Sequence, residues 1–391
     1  MPQKQKGSFV IEDKLNHKLI HMLRNHLNIM DNPYDNKSLS NKIFARIQEA
    51  KKESMKIIHD SDLHDITHTL MPNQFVDKVF CEYTVKNLHY QYDVTFQYKN
   101  IDFYIYIMFE EKINLEEYIN MIKLIICLCL YDIQNEKKDK MILNLYLTPL
   151  EKNIPINFPN KVLPIHVNSG CTNFDHCMNV CIYRKEEWIK VFIHECFHAF
   201  NMDFHEEKIN FYNLFSSTFF VQSEFLIFES FVEFWARILN CAIFTHLLKP
   251  KITRDEFHMI FTLNLNMDRV FSIMQGSKLL KVFQLKYENI IDKKQGTASK
   301  KIYKEETNAF CYYVITSILM NSFDKTLNWF DVNNTRLFSF DKSERQVIIF
   351  SHYIKQLAKD PQLVKLYETV KPPQIQEKNS MKMTLFDIQI E

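Results

Sequence analysis

The sequence predicts an α+β chain in which a small mixed β-sheet and one buried helix precede a mostly helical C-terminal half. Short runs of β-branched and aromatic residues, separated by turn residues, recur between positions 78 and 183. After Phe204 an apolar 3.6-residue period takes over. Between the two lies a strongly apolar segment that nevertheless carries His194, Glu195 and His198. At 391 residues the chain is long enough for one large domain or for two to three smaller ones.

In chain order, residues 1–75 read as an N-terminal helical region. Leu15, Leu19, Met22, Leu23 and Leu27 keep a helical period, and Ile43, Ile47 and Met55 follow it more loosely. Residues 76–205 read as a mixed β/α half. Strands are expected at 79–85, 90–98 and 101–109, punctuated by Lys86-Asn87 and Lys99-Asn100, as an antiparallel meander. A helix at 115–135, a charged turn and a strand at 141–148 follow. Pro149, Pro155, Pro159 and Pro164 mark a connection to short extended segments at 165–168 and 179–183. A helix starting near Lys185, with Glu186 and Glu187 in its first turn, closes this half. Residues 206–370 are expected as helices at 206–217, 222–247, 253–289, 303–322, 342–358 and 361–369, with a lysine-rich loop at 292–304. Pro372-Pro373 open an extended tail over 371–391.

Composition narrows the function. The formal net charge of +1 gives no global electrostatic case for nucleic acid or for an anionic membrane. Lysine clusters at 137–140 and 293–304 fall where turns are expected and read as solvated loops. No apolar run reaches membrane-spanning length. The segment 119–131 is too short and holds Lys123, and 217–248 is broken by Glu224, Glu229, Glu233 and Arg237. The first twelve residues are polar and lack the apolar core of a signal peptide, and the nine cysteines are odd in number. Reduced thiols and an intracellular location, in cytoplasm or a virus factory, are therefore expected. Four Gly against 33 Phe and 18 Tyr, with abundant Lys, Asn and Ile, point to an AT-rich genome. Cys171, Cys177 and Cys181, with His176, lack zinc-finger spacing and read as ordinary cysteines.

The segment His194-Glu195-Cys196-Phe197-His198 carries the chemistry. On a helix, residues four apart lie on one face, so the two imidazoles converge on one ion. Glu195, one residue on, then lies beside the ion rather than on it, where a carboxylate can take a proton from activated water. A catalytic zinc wants three protein ligands and an open position. Glu229 and Glu233 share one face of a helix otherwise built from Phe, Val and Trp. Glu229 is expected as the third ligand and Glu233 as the acceptor for the outer ring nitrogen of His194, with a swap of the two roles left open. An extended segment at 179–183 precedes the motif helix and a strand at 141–148 lies before it, and an edge strand there is expected to hold substrate backbone.

This arrangement resembles the zincin metallopeptidases, and their gluzincin branch more closely. There, one helix supplies two histidines from an H-E-x-x-H motif and a later helix supplies a glutamate from an E-x-x-x-D or E-x-x-x-E pattern. The resemblance covers about residues 179–237 and implies a zincin-like fold, a Zn²⁺ cofactor and hydrolysis of peptide bonds. By resemblance, His194, His198 and Glu229 are metal ligands, Glu195 is the catalytic base and Glu233 supports a ligand. The metzincin branch fits worse, because Asn201 and Phe204 stand where it has Gly and His. The context of the motif also looks like that of proteins from large DNA viruses. The resemblance further implies a Tyr or His that stabilises the oxyanion. Tyr313 is the first candidate, and Tyr312, His352 and Tyr353 are alternatives.

The expected partner is therefore a peptide or protein substrate, inside a host cell or an assembling virion. A rival of another class is a structural or interaction protein of a virus particle, with a zincin fold and a structural metal or none.

Overall fold

The computed structural model describes residues 35–133, 139–155, 161–174, 176–249, 251–370 and 379–390. The helix expected around Leu15 to Leu27 lies outside them. The described chain is α+β. It opens with helix α1 (Lys37–Ala50), whose Asn36 side chain accepts the N–H groups of Ser38 and Leu39. Strands β1 (Lys56–Asp60) and β2 (His64–Asp65) follow, in a region whose sequence reads as helical. Their residues are mostly exposed, and pairing to β3 decides their conformation rather than an apolar face.

Residues 79–85 are not a strand but part of helix α2 (Lys78–Asn87). Asp77 accepts the N–H of Val79 at 2.9 Å as the N-cap, and Phe80 and Thr84 turn inward four residues apart. Val79 and Val85, whose branched side chains suggest a strand, point outward. The expected hairpin does form. Strands β3 (Tyr90–Tyr98) and β4 (Ile101–Phe109) pair antiparallel through Lys99 and Asn100, both at positive φ, 47° and 61°. Two successive positive-φ residues are what a two-residue hairpin turn requires.

Helix α3 (Leu115–Cys129) returns the chain to β5 (Asp139–Tyr146), parallel to β4. Residues 165–168, expected as extended, lie mostly in a helical turn, α4 (Pro164–Val167). Strands β6 (Gly170–Asn173) and β7 (Met178–Ile182) complete a mixed sheet of order β1-β3-β4-β5-β7-β6, with β2 also on β3. Strand β7 lies between β5 and β6. The edge strand at this end of the sheet is β6, antiparallel to its neighbour.

Helix α5 (Trp188–Ala199) carries the motif and is buried along its whole length. Glu187 is its N-cap at φ 56°, and neither it nor Glu186 sits in the first turn. Lys152 draws both acids aside: its Nζ meets Glu187 at 2.7 Å and its N–H donates to Glu186 at 2.7 Å.

The second half holds α6 (Phe211–Phe215), α7 (Ile227–Leu247), α8 (Arg254–Val282), α9 (Tyr287–Ile291) and α10 (Gly296–Ile302). Helix α10 occupies most of the expected lysine-rich loop. A π-helical turn (Phe310–Ile315) runs into α11 (Thr316–Asn321), followed by α12 (Phe323–Asn333), α13 (Glu344–Leu357) and α14 (Pro361–Thr369). The high Phe content serves the packing between these helices and the motif. Phe204, just after α5, meets Phe340 at a ring separation of 4.3 Å, and Phe231 meets Phe330 at 5.4 Å. One apolar core runs from Leu39 on α1 to Ile390. The described part of the tail belongs to it. Met381, Met383, Leu385, Phe386, Ile388 and Ile390 are all buried. Side chains bind its backbone: Glu187 accepts the N–H groups of Met383 and Thr384, and Asp268 accepts that of Leu385. Among the described residues, no helix is long and apolar enough to cross a membrane.

Candidate metal centre

Helix α5 presents His194 and His198 one turn apart toward the first turn of α7, which presents Glu229. The two Nε2 atoms are 3.1 Å apart. Glu229 Oε2 lies 3.1 Å from His194 Nε2 and 3.3 Å from His198 Nε2. The outer nitrogens are fixed by other carboxylates. His194 Nδ1 meets Glu233 Oε2 at 3.2 Å, and His198 Nδ1 meets Asp203 Oδ2 at 2.5 Å. An ionised carboxylate only accepts, so each Nδ1 carries a proton. In the neutral rings both Nε2 atoms then carry lone pairs, and these face each other and a carboxylate oxygen.

Three acceptors that converge without a donor repel unless a cation or extra protons lie among them. A tetrahedral ion with bonds of about 2.0–2.1 Å sets its ligand atoms roughly 3.3–3.4 Å apart. The observed triangle is close to that edge. These three buried residues form a group that can hold a metal ion.

The proton affinities follow from the same geometry. Burial alone lowers the affinity of His194 for a proton, but its hydrogen bonds to Glu229 and Glu233 win and raise its pKa. His198 is also opposed by burial, yet Asp203 and then Glu229 hold it well above the ordinary histidine range. Burial pushes Glu229 up, and bonds to both imidazoles overcome it and bring its pKa to about 2. Glu233 is likewise pushed up by burial and brought to about 2, by Lys190 first and by His194 next.

The neighbours of these ligands are less legible in the sequence. Lys190 donates to both oxygens of Glu233, at 3.1 and 2.9 Å, inside the core. Its one signal is a charge one turn before His194 on an apolar helix. Asp203 bridges His198 and His205, whose Nδ1 lies 2.5 Å from the other oxygen. Its signal is an acid between buried Met202 and Phe204. Asn308 donates to the second oxygen of Glu229 at 3.1 Å, leaving Oε2 for the imidazoles. No local pattern marks Asn308.

Glu195 is buried beside the pair, and its Oε2 accepts the hydroxyl of Thr172 on β6 at 2.7 Å. The strand approaches so closely because residue 170 is Gly. A Cβ there would lie 2.8 Å from Val191 Cγ1 and 2.9 Å from Glu195 Oε1.

Tyr313 is not at the centre. Its hydroxyl donates to the Met381 carbonyl. Tyr312 takes the neighbouring position instead, with its ring edge-on to His194 at 5.9 Å. The π-helical turn is the physical reason, because its wider spacing rotates side chains away from the faces a 3.6-residue period gives. His352 is exposed on α13, and Tyr353 stacks on Trp329.

No protein-family model matches the chain, and no curated protein or solved structure matches it.

Proposed function

We propose that the chain is a zinc-dependent peptidase with a zincin-like fold of the gluzincin type, acting on peptide or protein substrates. The observation that supports this best is the triangle of His194 Nε2, His198 Nε2 and Glu229 Oε2, with a buried carboxylate at hand that holds none of its corners. Two nitrogens and one oxygen suit zinc, which in catalytic sites takes three protein ligands and leaves one position open. A purely structural zinc is closed by a fourth protein ligand. Among the described residues the group counts three.

A bound zinc ion supplies Lewis acidity, which activates water and polarises a carbonyl. The protein does the rest. Glu233 and Asp203 fix the tautomer and orientation of the two rings. Glu195, aimed by Thr172, accepts the proton of the attacking water and returns it to the leaving amine. Tyr312 donates its hydroxyl to the oxygen on which charge develops. The outer edge of β6 offers main-chain groups to an extended substrate. The rival reading, a metal that only braces the fold, gives Glu195 no task.

The test is Glu195→Gln assayed on a mixture of quenched fluorogenic peptides. The amide keeps shape but takes no proton, so metal content and melting temperature should hold while hydrolysis falls about 10²–10⁴-fold. Activity within twofold of the parent chain would remove Glu195 from the mechanism.

A further inference from the structure

A cavity of about 30 Å³ opens beside His194, Glu195 and Tyr312. Val167, Ser169, Val191, Lys152, Lys190 and Met383 line it as well. It has room for about one water, or for one or two heavy atoms of a side chain. We propose that this cavity receives the substrate side chain next to the bond that is cut, and that it takes glycine, alanine or serine and rejects larger residues. The inference rests on the peptidase reading.

Three observations carry it. The cavity touches the proton acceptor, a ligand of the metal triangle and the candidate oxyanion donor together. A residue flanking the reacting carbonyl is therefore the part of a bound peptide nearest to it. Gly170, on the edge strand, also lines the cavity, so a peptide laid along β6 would lie next to one of its lining residues.

Second, the walls are held against expansion. Lys190 Nζ is fixed by both oxygens of Glu233 and lies 3.2 Å from Met383 Sδ. Lys152 Nζ is held by Glu187, which also binds the backbone N–H groups of Met383 and Thr384. To widen the cavity, a leucine would have to break buried ion pairs or displace the tail from its backbone partners. A methyl or hydroxymethyl group requires neither.

Third, the Ser169 hydroxyl is buried on the cavity wall without a hydrogen-bond partner. Unpaired buried polar groups are rare, and one at a cavity wall marks a place for a small polar atom. The hydroxyl of a serine, or a water carried above a glycine or alanine, meets that need.

The experiment uses the full zinc-loaded chain and a peptide library whose cut sites are read by mass spectrometry. Matched peptides with alanine or leucine at the preferred position are then compared. Alanine should exceed leucine by about 100-fold or more in kcat/KM, since a single misfit methylene is worth roughly 10–200-fold. Met383→Ala should enlarge the pocket and bring the ratio below about 10-fold. Val167→Ala, at another lining residue, provides the same test should the first variant fold poorly. Equal cleavage of alanine and leucine peptides would overturn the proposal, as would full discrimination retained in both enlarged variants. Peptide affinity of the Glu195→Gln chain separates this from the parent reading. Selective binding of alanine peptides by that chain, with no cleavage by the parent, would sink the peptidase and leave the pocket standing.

Discussion

His194 and His198 face each other through Nε2 atoms 3.1 Å apart, and each is bound at Nδ1 to a buried carboxylate. In the neutral rings that pairing turns two side chains that usually share protons into two acceptors aimed at one point. A cation relieves it. The purified chain should carry close to one zinc, and His198→Ala should lose most of it. Elemental analysis after expression in zinc-replete medium measures both. A parent chain without any transition metal would contradict the central reading.

Glu229 and Glu233 lie one turn apart on α7, yet their tasks differ. Glu229 faces both Nε2 atoms, whereas Glu233 faces Nδ1 of His194 and Lys190. Glu229→Ala should therefore cause the larger loss of zinc. Glu233→Ala should reduce affinity by about 10–100-fold, as expected for a residue that orients a ligand. Stability should rank the other way. Glu233→Ala leaves the Lys190 ammonium buried and unpaired, at a cost of about 3–5 kcal/mol. Glu233→Gln combined with Lys190→Met removes that charge and should restore much of the melting temperature. Zinc titration and thermal melts of the four chains test the two rankings separately. Equal zinc affinity in Glu229→Ala and the parent would remove Glu229 from the ligand set.

Part of this centre is legible in the sequence, because helical spacing alone puts His194 over His198 and Glu229 over Glu233. The strands at 90–98 and 101–109 are legible as well, through alternation and a turn that needs two positive-φ residues. What escapes the sequence depends on partners distant in the chain. Lys190 and Asp203 matter through contacts with Glu233 and His198, and Asn308 reaches Glu229 from 79 residues away. Residues 79–85 mislead because β propensity is weak beside local context: Asp77 caps a helix here, Phe80 and Thr84 turn inward four residues apart, and Val79 and Val85 face solvent. Tyr313 misleads because a π-helical turn shifts the helix face, and no composition rule signals that extra residue.

Both acid and base should destabilise the metal-free chain, through different groups. Glu229 and Glu233 have folded pKa values of about 2, below the ordinary value of 4.5. Their contribution is present above about 4.5 and is lost as pH falls toward 2. His194 and His198 have folded pKa values raised above 6.5, so their contribution is complete below that value and is lost as pH rises through the raised ones. The metal-free chain should thus be most stable between about 4.5 and 6.5. Zinc binding needs the deprotonated rings and reverses the upper limb. The gap in melting temperature between zinc-loaded and metal-free chains should therefore widen from pH 5.5 to pH 8. A gap that narrows over this range would show that the imidazoles do not bind the ion.

Tyr312 and Tyr313 are adjacent and chemically identical, the first half-buried and the second buried, and the structure separates their tasks. Tyr313 spends its hydroxyl on the Met381 carbonyl, which anchors the tail. Tyr312 lines the cavity with His194 and Glu195. Burial raises the pKa of Tyr312 well above the usual phenol range, and the charges of Glu229 and Glu195 raise it further. Its hydroxyl therefore stays protonated through neutral pH and is available as a donor. Tyr312→Phe removes that donor with little change in volume. It should lower kcat by about 10²–10³-fold, the range for loss of one oxyanion donor, with zinc content and KM little changed. Tyr313→Phe leaves the Met381 carbonyl unpaired and should cost about 1–3 kcal/mol of stability. Its kcat on the folded fraction should stay within about threefold of the parent, a difference of less than 1 kcal/mol in the barrier. Steady-state kinetics on chains whose folded fraction has been measured by thermal melts distinguishes the two. A rate loss in Tyr313→Phe that matches or exceeds that in Tyr312→Phe would return the oxyanion role to Tyr313, and would mean that the tail moves when substrate binds.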